Sequence, residues 1–362
     1  MLQRTDRTAG LQLRKTHDGD RSRLAKLTAS LLVFALVATA AAAIGFGAAD
    51  TPAYGVLMAR AGLHDGAGLQ ATDYLIVEQI RLPRLFLGML IGAGLAVSGA
   101  LMQGLFRNPL ADPGIVGVSA GAGLGAVAAI VLAGGSLPFF GIYTLPFAAF
   151  FGGLVSTWLL YQVSTRNGTT SVATLLLAGI ALGALAGAIT GFLVYLADDA
   201  QLRDITFWGL GSLAGATWTK VAATAPFVLL ALAVSSFLAR ALNALALGEA
   251  AAHHMGIPVQ RMKLLAITVV AAATGASVAA SGVIGFVGIV IPHLLRLTIG
   301  PDHRYLLICS ALLGASFLTL ADAVSRTVVA PAELPIGIVT AAIGAPFFLW
   351  ILLGRRGMAD LR

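Results

Sequence analysis

Residues 242–263 read LNALALGEAAAHHMGIPVQRMK. This stretch lies between apolar runs at 219–239 and 264–281, is too polar to enter a bilayer and is too short to be a domain. The runs on either side are therefore separate membrane crossings, and the interval between them is a connector at the membrane edge. It carries more helix punctuation than a plain linker needs. Gly256 followed by Pro258 reads as the end of one short helix and the start of another, because Gly tolerates the left-handed position after a helix and Pro is tolerated at a first turn. Leu247, Ala251 and Met255 recur at spacing four and form one small apolar face, with Glu249 and His253 elsewhere around the helix. Such a face can dock a partner. A capped loop resting on its own chain would use the same residues.

Composition widens this reading to the whole chain. Of 362 residues, 58% are hydrophobic and 11% are charged, whereas soluble domains carry roughly 25% charged residues and a membrane helix needs ~20 consecutive apolar ones. The 43 glycines fall largely within apolar runs, where small residues let helix backbones approach in lipid. The single cysteine, Cys309, leaves no internal disulfide and no multi-cysteine metal site. The net charge of +7 is spread over segment ends and forms no patch, so it argues for membrane topology and against nucleic acid.

Residues 1–26 are polar and basic and read as a disordered cytoplasmic tail, and 355–362 as a short cytoplasmic C-terminal tail. Between them, 27–354 reads as one transmembrane domain. The run 27–48 is longer than a signal-peptide core and is kept as a first crossing. Further apolar runs follow at about 84–106, 114–133, 142–163, 172–196, 219–239, 264–281, 285–298, 305–325 and 336–353, giving ten crossings and an all-α polytopic membrane protein. The eighth run is short and contains Gly and Pro, the signature of a broken or tilted helix. With the N-terminus inside, all but six of the 23 Lys and Arg residues fall on the cytoplasmic side, as the positive-inside rule requires. Both termini and the 242–263 connector are then cytoplasmic.

The six exceptions are Arg60, Arg81, Arg84, Arg203, Lys220 and Arg326. Arg60 and Lys220 suit interfacial snorkelling. Arg81 and Arg84 in RLPR, with Arg326 in ADAVSR, are expected to form an external docking site for an acidic partner, because Arg pairs carboxylates bidentately.

Several motifs carry chemistry only on paper. QGLFRNPLADPGIVG (103–117) holds Asn108-Pro109 and Asp112-Pro113, which break helices and specify a tight turn suited either to a gate or to a plain hairpin. GVSAG (117–121) matches the nucleophile-elbow pattern, but it lies in a Gly/Ala-rich membrane segment where packing is the better reading. His253 and His254 are adjacent, point some 100° apart on a helix and cannot share a metal. His293 and His303 are placed at the interface beside Arg296 and Arg304. No phosphate-binding G-x-x-x-x-G-K-[ST] occurs, so any ATPase driving transport is another chain. An ion-coupled secondary transporter would bury a carboxylate mid-helix, and the candidates Asp322 and Glu333 fall near segment ends.

Six strings together resemble the FecCD-type permeases, the membrane subunits of ATP-binding-cassette importers for iron siderophores, heme and vitamin B12. They are RLPR (81–84), SGALMQGLFRNPLADPGIVGVSAGAGLG (98–125), LLLAGIALG (175–183), ALGEAAAHHMGIP (246–258), SGVIGFVGIVIPHLLRLTIGPDHR (281–304) and AELPIGIVTAAIGAPFFLWILL (332–353). The resemblance implies the ten-helix type II ABC importer permease fold, with no catalytic or metal-ligating residue and no cofactor on this chain. ATP and Mg would belong to a partner ATPase. It further implies that Leu247, Gly248, Glu249, Ala252 and Gly256 couple to that ATPase and that Arg81, Arg84 and Arg326 meet a periplasmic binding protein. Asn108, Pro109 and Leu110 match one cytoplasmic gate and Ser171, Val172, Ala173 and Thr174 a second, although Val172 and Ala173 depart from the small polar run of the vitamin B12 branch. The segments 198–218 and 326–337 look most like the heme branch. The implied assembly is an inner-membrane homodimer with two ATPase subunits and a periplasmic heme-binding protein, moving heme as substrate, surrounded by lipid and binding no nucleic acid.

Overall fold

A computed structural model describes residues 21–47, 51–63, 65–134, 141, 143–166 and 169–353. The expected tails at 1–20 and 355–362 lie outside the described residues. Helices α1 (Ser22–Gly45) and α2 (Ala53–Arg60) come first; α3 (Ala71–Leu75) then runs through a π-helical turn, Ile76–Arg81, into α4 (Leu82–Phe106). Helices α5 (Val118–Ala133) and α6 (Thr144–Ser164) follow. A two-residue hairpin, β1 (Thr165–Arg166) and β2 (Thr169–Thr170), leads to α7 (Val172–Leu196), α8 (Asp199–Gly209) and α9 (Trp218–Leu245). The chain ends with α10 (Glu249–His254), α11 (Val259–Ser281), α12 (Val287–Ile299), α13 (His303–Thr327) and α14 (Ile336–Leu353).

The ten expected crossings are α1, α4, α5, α6, α7, α9, α11, α12, α13 and α14. Seven helical segments are long and apolar enough to cross a membrane, and three shorter apolar helices, α5, α12 and α14, complete the set. The first crossing starts at Ser22, so residues 22–26 belong to it and not to the tail. The interval between the first two apolar runs contains α2, and the second crossing begins at Ala71. Helix α8 was likewise missed. Its start is fixed by a reciprocal capping box in which Asp198 accepts from the Gln201 amide at 2.8 Å and the Gln201 side chain accepts from the Asp198 amide at 3.1 Å.

Helix α4 is the axis of the bundle. Nearly every residue from Ile91 to Phe106 is buried, and two cores meet on it. One holds Leu101, Leu105, Leu242, Met262 and Val270; the other holds Leu87, Ile91, Ile291, Leu306 and Leu318. Its glycines permit this. A side-chain carbon at Gly92 would strike the backbone carbonyl of Gly314 on α13, and one at Gly99 would strike that of Gly288 on α12. Gly99→Ala is therefore expected to destabilise the protein by about 1–3 kcal/mol, since backbone cannot yield as a side chain can. Gly123→Ala, with open space around the added methyl, should stay within about 0.5 kcal/mol of the parent. Thermal unfolding in detergent checks both, and equal midpoints for the two variants would refute the close-approach argument.

The GVSAG glycines also serve packing. Gly117 is left-handed at φ +75° as α5 begins, and Gly121 abuts the Gly152 backbone of α6.

Candidate functional site

Parity of the crossings places the end of α4, the 165–170 hairpin, the start of α7 and the 246–258 connector on one face. The connector contains one short helix, not two. Gly256, at φ +79°, ends α10 as expected, but the turn at Pro258 leads directly into α11, whose opening residues precede its membrane portion. Ala252 is buried beneath α10, whereas Leu247 is 72% exposed and Met255 52%. Gly248, at φ +108°, turns the chain into the helix. His253 and His254 are exposed, with ring planes 84° apart, and among the described residues no group of three His, Cys, Asp or Glu side chains could hold a metal ion.

Behind α10 stands a contact that the sequence reading missed. Lys263, 1% exposed, donates from Nζ to Glu249 Oε1 at 2.7 Å and to the Thr170 carbonyl at 2.9 Å. The Thr170 amide in turn donates to Gln260 Oε1 at 2.9 Å. Helix α10, the first turns of α11 and strand β2 are thereby joined, and β2 ends one residue before Ser171. The available signal was an acid and a base on either side of the Gly256-Pro258 turn, but nothing in the spacing required them to meet.

The two expected gate segments are well-formed turns. Helix α4 ends on Arg107, left-handed at φ +50°, and the Asn108 carboxamide accepts from the Leu110 amide at 2.9 Å. Pro109 follows Asn108 in this turn. Asp112 accepts from the Gly114 amide at 2.7 Å, and burial pushes its carboxyl above the usual range against the pull of that bond. Ser171 caps α7 by accepting from the Thr174 amide at 3.3 Å; Ser171, Ala173 and Thr174 are exposed, with Val172 half-buried. The turn Pro113–Val116 packs against α7, bringing the two gate regions side by side.

The opposite face corrects the picture of exposed arginines. Arg81, Arg84 and Arg326 are 4–6% exposed. Arg84 Nε donates to both Asp322 oxygens at 2.9 and 3.0 Å, and Nη1 donates to both Glu333 oxygens at 2.8 and 3.0 Å. Arg326 Nε lies 3.2 Å from Asp322 Oδ2, and its Nη2 donates to the Ala43 carbonyl at 3.0 Å. Arg81 Nη1 donates to the Ile44 carbonyl at 2.6 Å. The three guanidiniums tie α1, α4, α13 and the turn before α14 together. Acidic partners within the chain explain why Arg84 and Arg326 point inward, and backbone carbonyls of α1 hold Arg81. Arg60, in contrast, is exposed; its pairing with Glu78 raises its pKa, and it lies over the Tyr74 ring at 5.1 Å. His293 and His303, expected at the interface beside Arg296 and Arg304, are both buried.

The FecCD transport family model matches residues 31–354. The chain belongs to the FecCD transport family. It is 47% identical over 277 residues to the hemin transport system permease protein HmuU of Yersinia pestis, covering 76% of this chain and 83% of that one. It is 48% identical over 288 residues to the cobalamin import system permease protein BtuC of Halobacterium salinarum, covering 80% and 76%. Among solved structures, a metal-chelate type ABC transporter in an inward-facing conformation superposes with a TM-score of 0.77 at 34% identity, over 89% of this chain and 97% of that chain. PsaBC from Streptococcus pneumoniae shares the fold alone, with a TM-score of 0.56 at 15% identity, over 79% and 96%. This FecCD permease is thus a multi-pass membrane subunit of an ABC importer, and ATP hydrolysis belongs to a separate subunit.

Proposed function

We propose that this chain is the permease of a heme importer. Two copies enclose a central path, two ATPase subunits dock on the α10 face, and a periplasmic heme-binding protein delivers substrate to the opposite face. The observation that carries the coupling half is the exposed apolar pair Leu247 and Met255 flanking a six-residue helix, a surface unfavourable in water and suited to a cleft on a partner. The dimer has support from α7, where Leu177, Ile180 and Phe192 are exposed and a side-chain carbon at Gly183, Gly187 or Gly191 would meet open space among the described residues. Heme is favoured by residues 198–218 and 326–337 and by the likeness to HmuU.

On this reading, Leu247, Gly248, Glu249, Ala252 and Gly256 receive the ATPase motion, and the turns at Asn108–Leu110 and Ser171–Thr174 open or close the path. The binding protein docks around the buried arginine framework, at whose edge Glu333 is exposed.

The complex in proteoliposomes, with its ATPase inside and candidate binding proteins outside, tests this. Hemin should accumulate only with ATP and a heme-binding protein, and should stimulate hydrolysis. Stimulation by cobalamin or a ferric siderophore and not by hemin would transfer the substrate assignment to that branch. Uptake with a hydrolysis-dead ATPase would remove the importer mechanism.

A further inference from the structure

A cavity of about 1050 Å³ opens on the α10 face where α4, α9 and α12 end and α1 and α13 begin. Arg21, Arg107, Arg296 and Arg304 line it, with Asp302 as the one carboxylate among the described residues. Asp302 is already committed: it accepts from Asn243 Nδ2 at 2.6 Å and caps α13 by accepting from the Arg304 amide at 3.0 Å. Arg296 is the decisive group. Its Nε and Nη2 are buried, and no hydrogen-bond acceptor among the described residues meets them. Donor nitrogens removed from water without a partner are unfavourable, which is why buried polar groups are found paired. The buried arginines of the opposite face all have carboxylate or carbonyl partners, so the two unmet nitrogens of the half-buried Arg296 mark a place for an anion.

We propose that this cavity binds the phosphodiester headgroup of an anionic phospholipid. Arginine offers paired donors that fit phosphate oxygens, and basic pockets between helices at the cytoplasmic membrane edge take such headgroups. The placement selects a lipid over a soluble phosphate. The cavity lies at the ends of spanning helices, and the exposed Leu297, one residue from Arg296, gives its wall an apolar edge that acyl chains can follow. Arg107 connects the site to function, because it is the left-handed residue that begins the Asn108–Leu110 turn. A bound headgroup would hold that turn.

The full-length chain, delipidated in mild detergent, is melted in phosphatidylcholine micelles with and without phosphatidylglycerol, and separately with inorganic phosphate. Phosphatidylglycerol should raise the midpoint by about 3–5 °C. Arg296→Gln should abolish that increment, and Arg240→Gln, on the same face but outside the cavity, should retain it. If Arg296→Gln fails to fold, the double variant Arg107→Gln/Arg304→Gln should lose most of the increment. Three results would each overturn the proposal: no rise over phosphatidylcholine alone, a rise with inorganic phosphate matching that with the lipid, or an increment unchanged in both the Arg296 and the double variants. It also falls if phosphatidylglycerol stabilises only a chain lacking residues 1–20, since the tail would then supply the counter-charge. None of these readouts depends on which substrate is transported.

Discussion

Asp322→Ala will lower the stability of this protein by about 3–5 kcal/mol, the usual cost of removing one partner from a buried ion pair. Asp322 is 4% exposed and lies between Arg84 and Arg326, contacting both. Without it two buried guanidiniums face each other, and only Glu333 remains to compensate Arg84. Glu333 itself is partly exposed, with its side chain 35% accessible, so Glu333→Gln should cost no more than about 1 kcal/mol. The sharper check is a double variant. Arg84→Met/Asp322→Leu removes one of the two guanidiniums together with the carboxylate and should recover part of the loss, while Arg326, which keeps the Ala43 carbonyl, stays without its carboxylate in both variants. Thermal unfolding in detergent reads all three. An Asp322→Ala protein that melts with the parent would mean that water enters this site and the network is not buried in the membrane protein.

Lys263→Met is expected to do the reverse, sparing the fold and damaging transport. The methionine replaces much of the buried stem, and the released Glu249 carboxylate, already 41% accessible, can hydrate. The thermal midpoint should stay close to the parent. What disappears is the pair of bonds from Nζ to Glu249 on α10 and to the Thr170 carbonyl at the end of β2. If α10 receives the ATPase stroke, this is its direct connection to the Ser171–Thr174 gate. Contacts along a coupling route typically carry about 0.5–2 kcal/mol, so substrate moved per ATP should fall roughly two- to thirtyfold while hydrolysis continues. Parallel measurements of uptake and ATPase rate in proteoliposomes decide it. Unchanged stoichiometry would show that motion reaches the gate by another route.

The positions of the ten crossings and the polar connector were legible because membrane helices announce themselves locally: an apolar run of sufficient length must span, whatever its neighbours. Capping was legible in part. Gly256 ends α10 as read, but Pro258 was taken to open a second short helix when it opens α11, because a first-turn proline looks the same whether six or twenty-three residues follow. The missed α2 and α8 are short and mixed in polarity, without a run long enough to signal.

Residue types were readable; their partners were not. Arg81, Arg84 and Arg326 were singled out as unusual charges, yet the carboxylate that holds two of them, Asp322, had been weighed only as an ion-coupling site. Arg84 and Asp322 are 238 positions apart, and no local rule connects them. The same holds for Lys263 and Thr170, and for Arg296, whose isolation is visible only once every neighbouring helix is in place. The sequence by itself determined a helical membrane subunit with ten apolar runs and no nucleotide-binding motif of its own, because hydropathy and short motifs are properties of contiguous residues. Only the tertiary structure decided which charges are spent inside the chain and which await a partner, because burial and pairing depend on helices that meet in space after long separation along the chain.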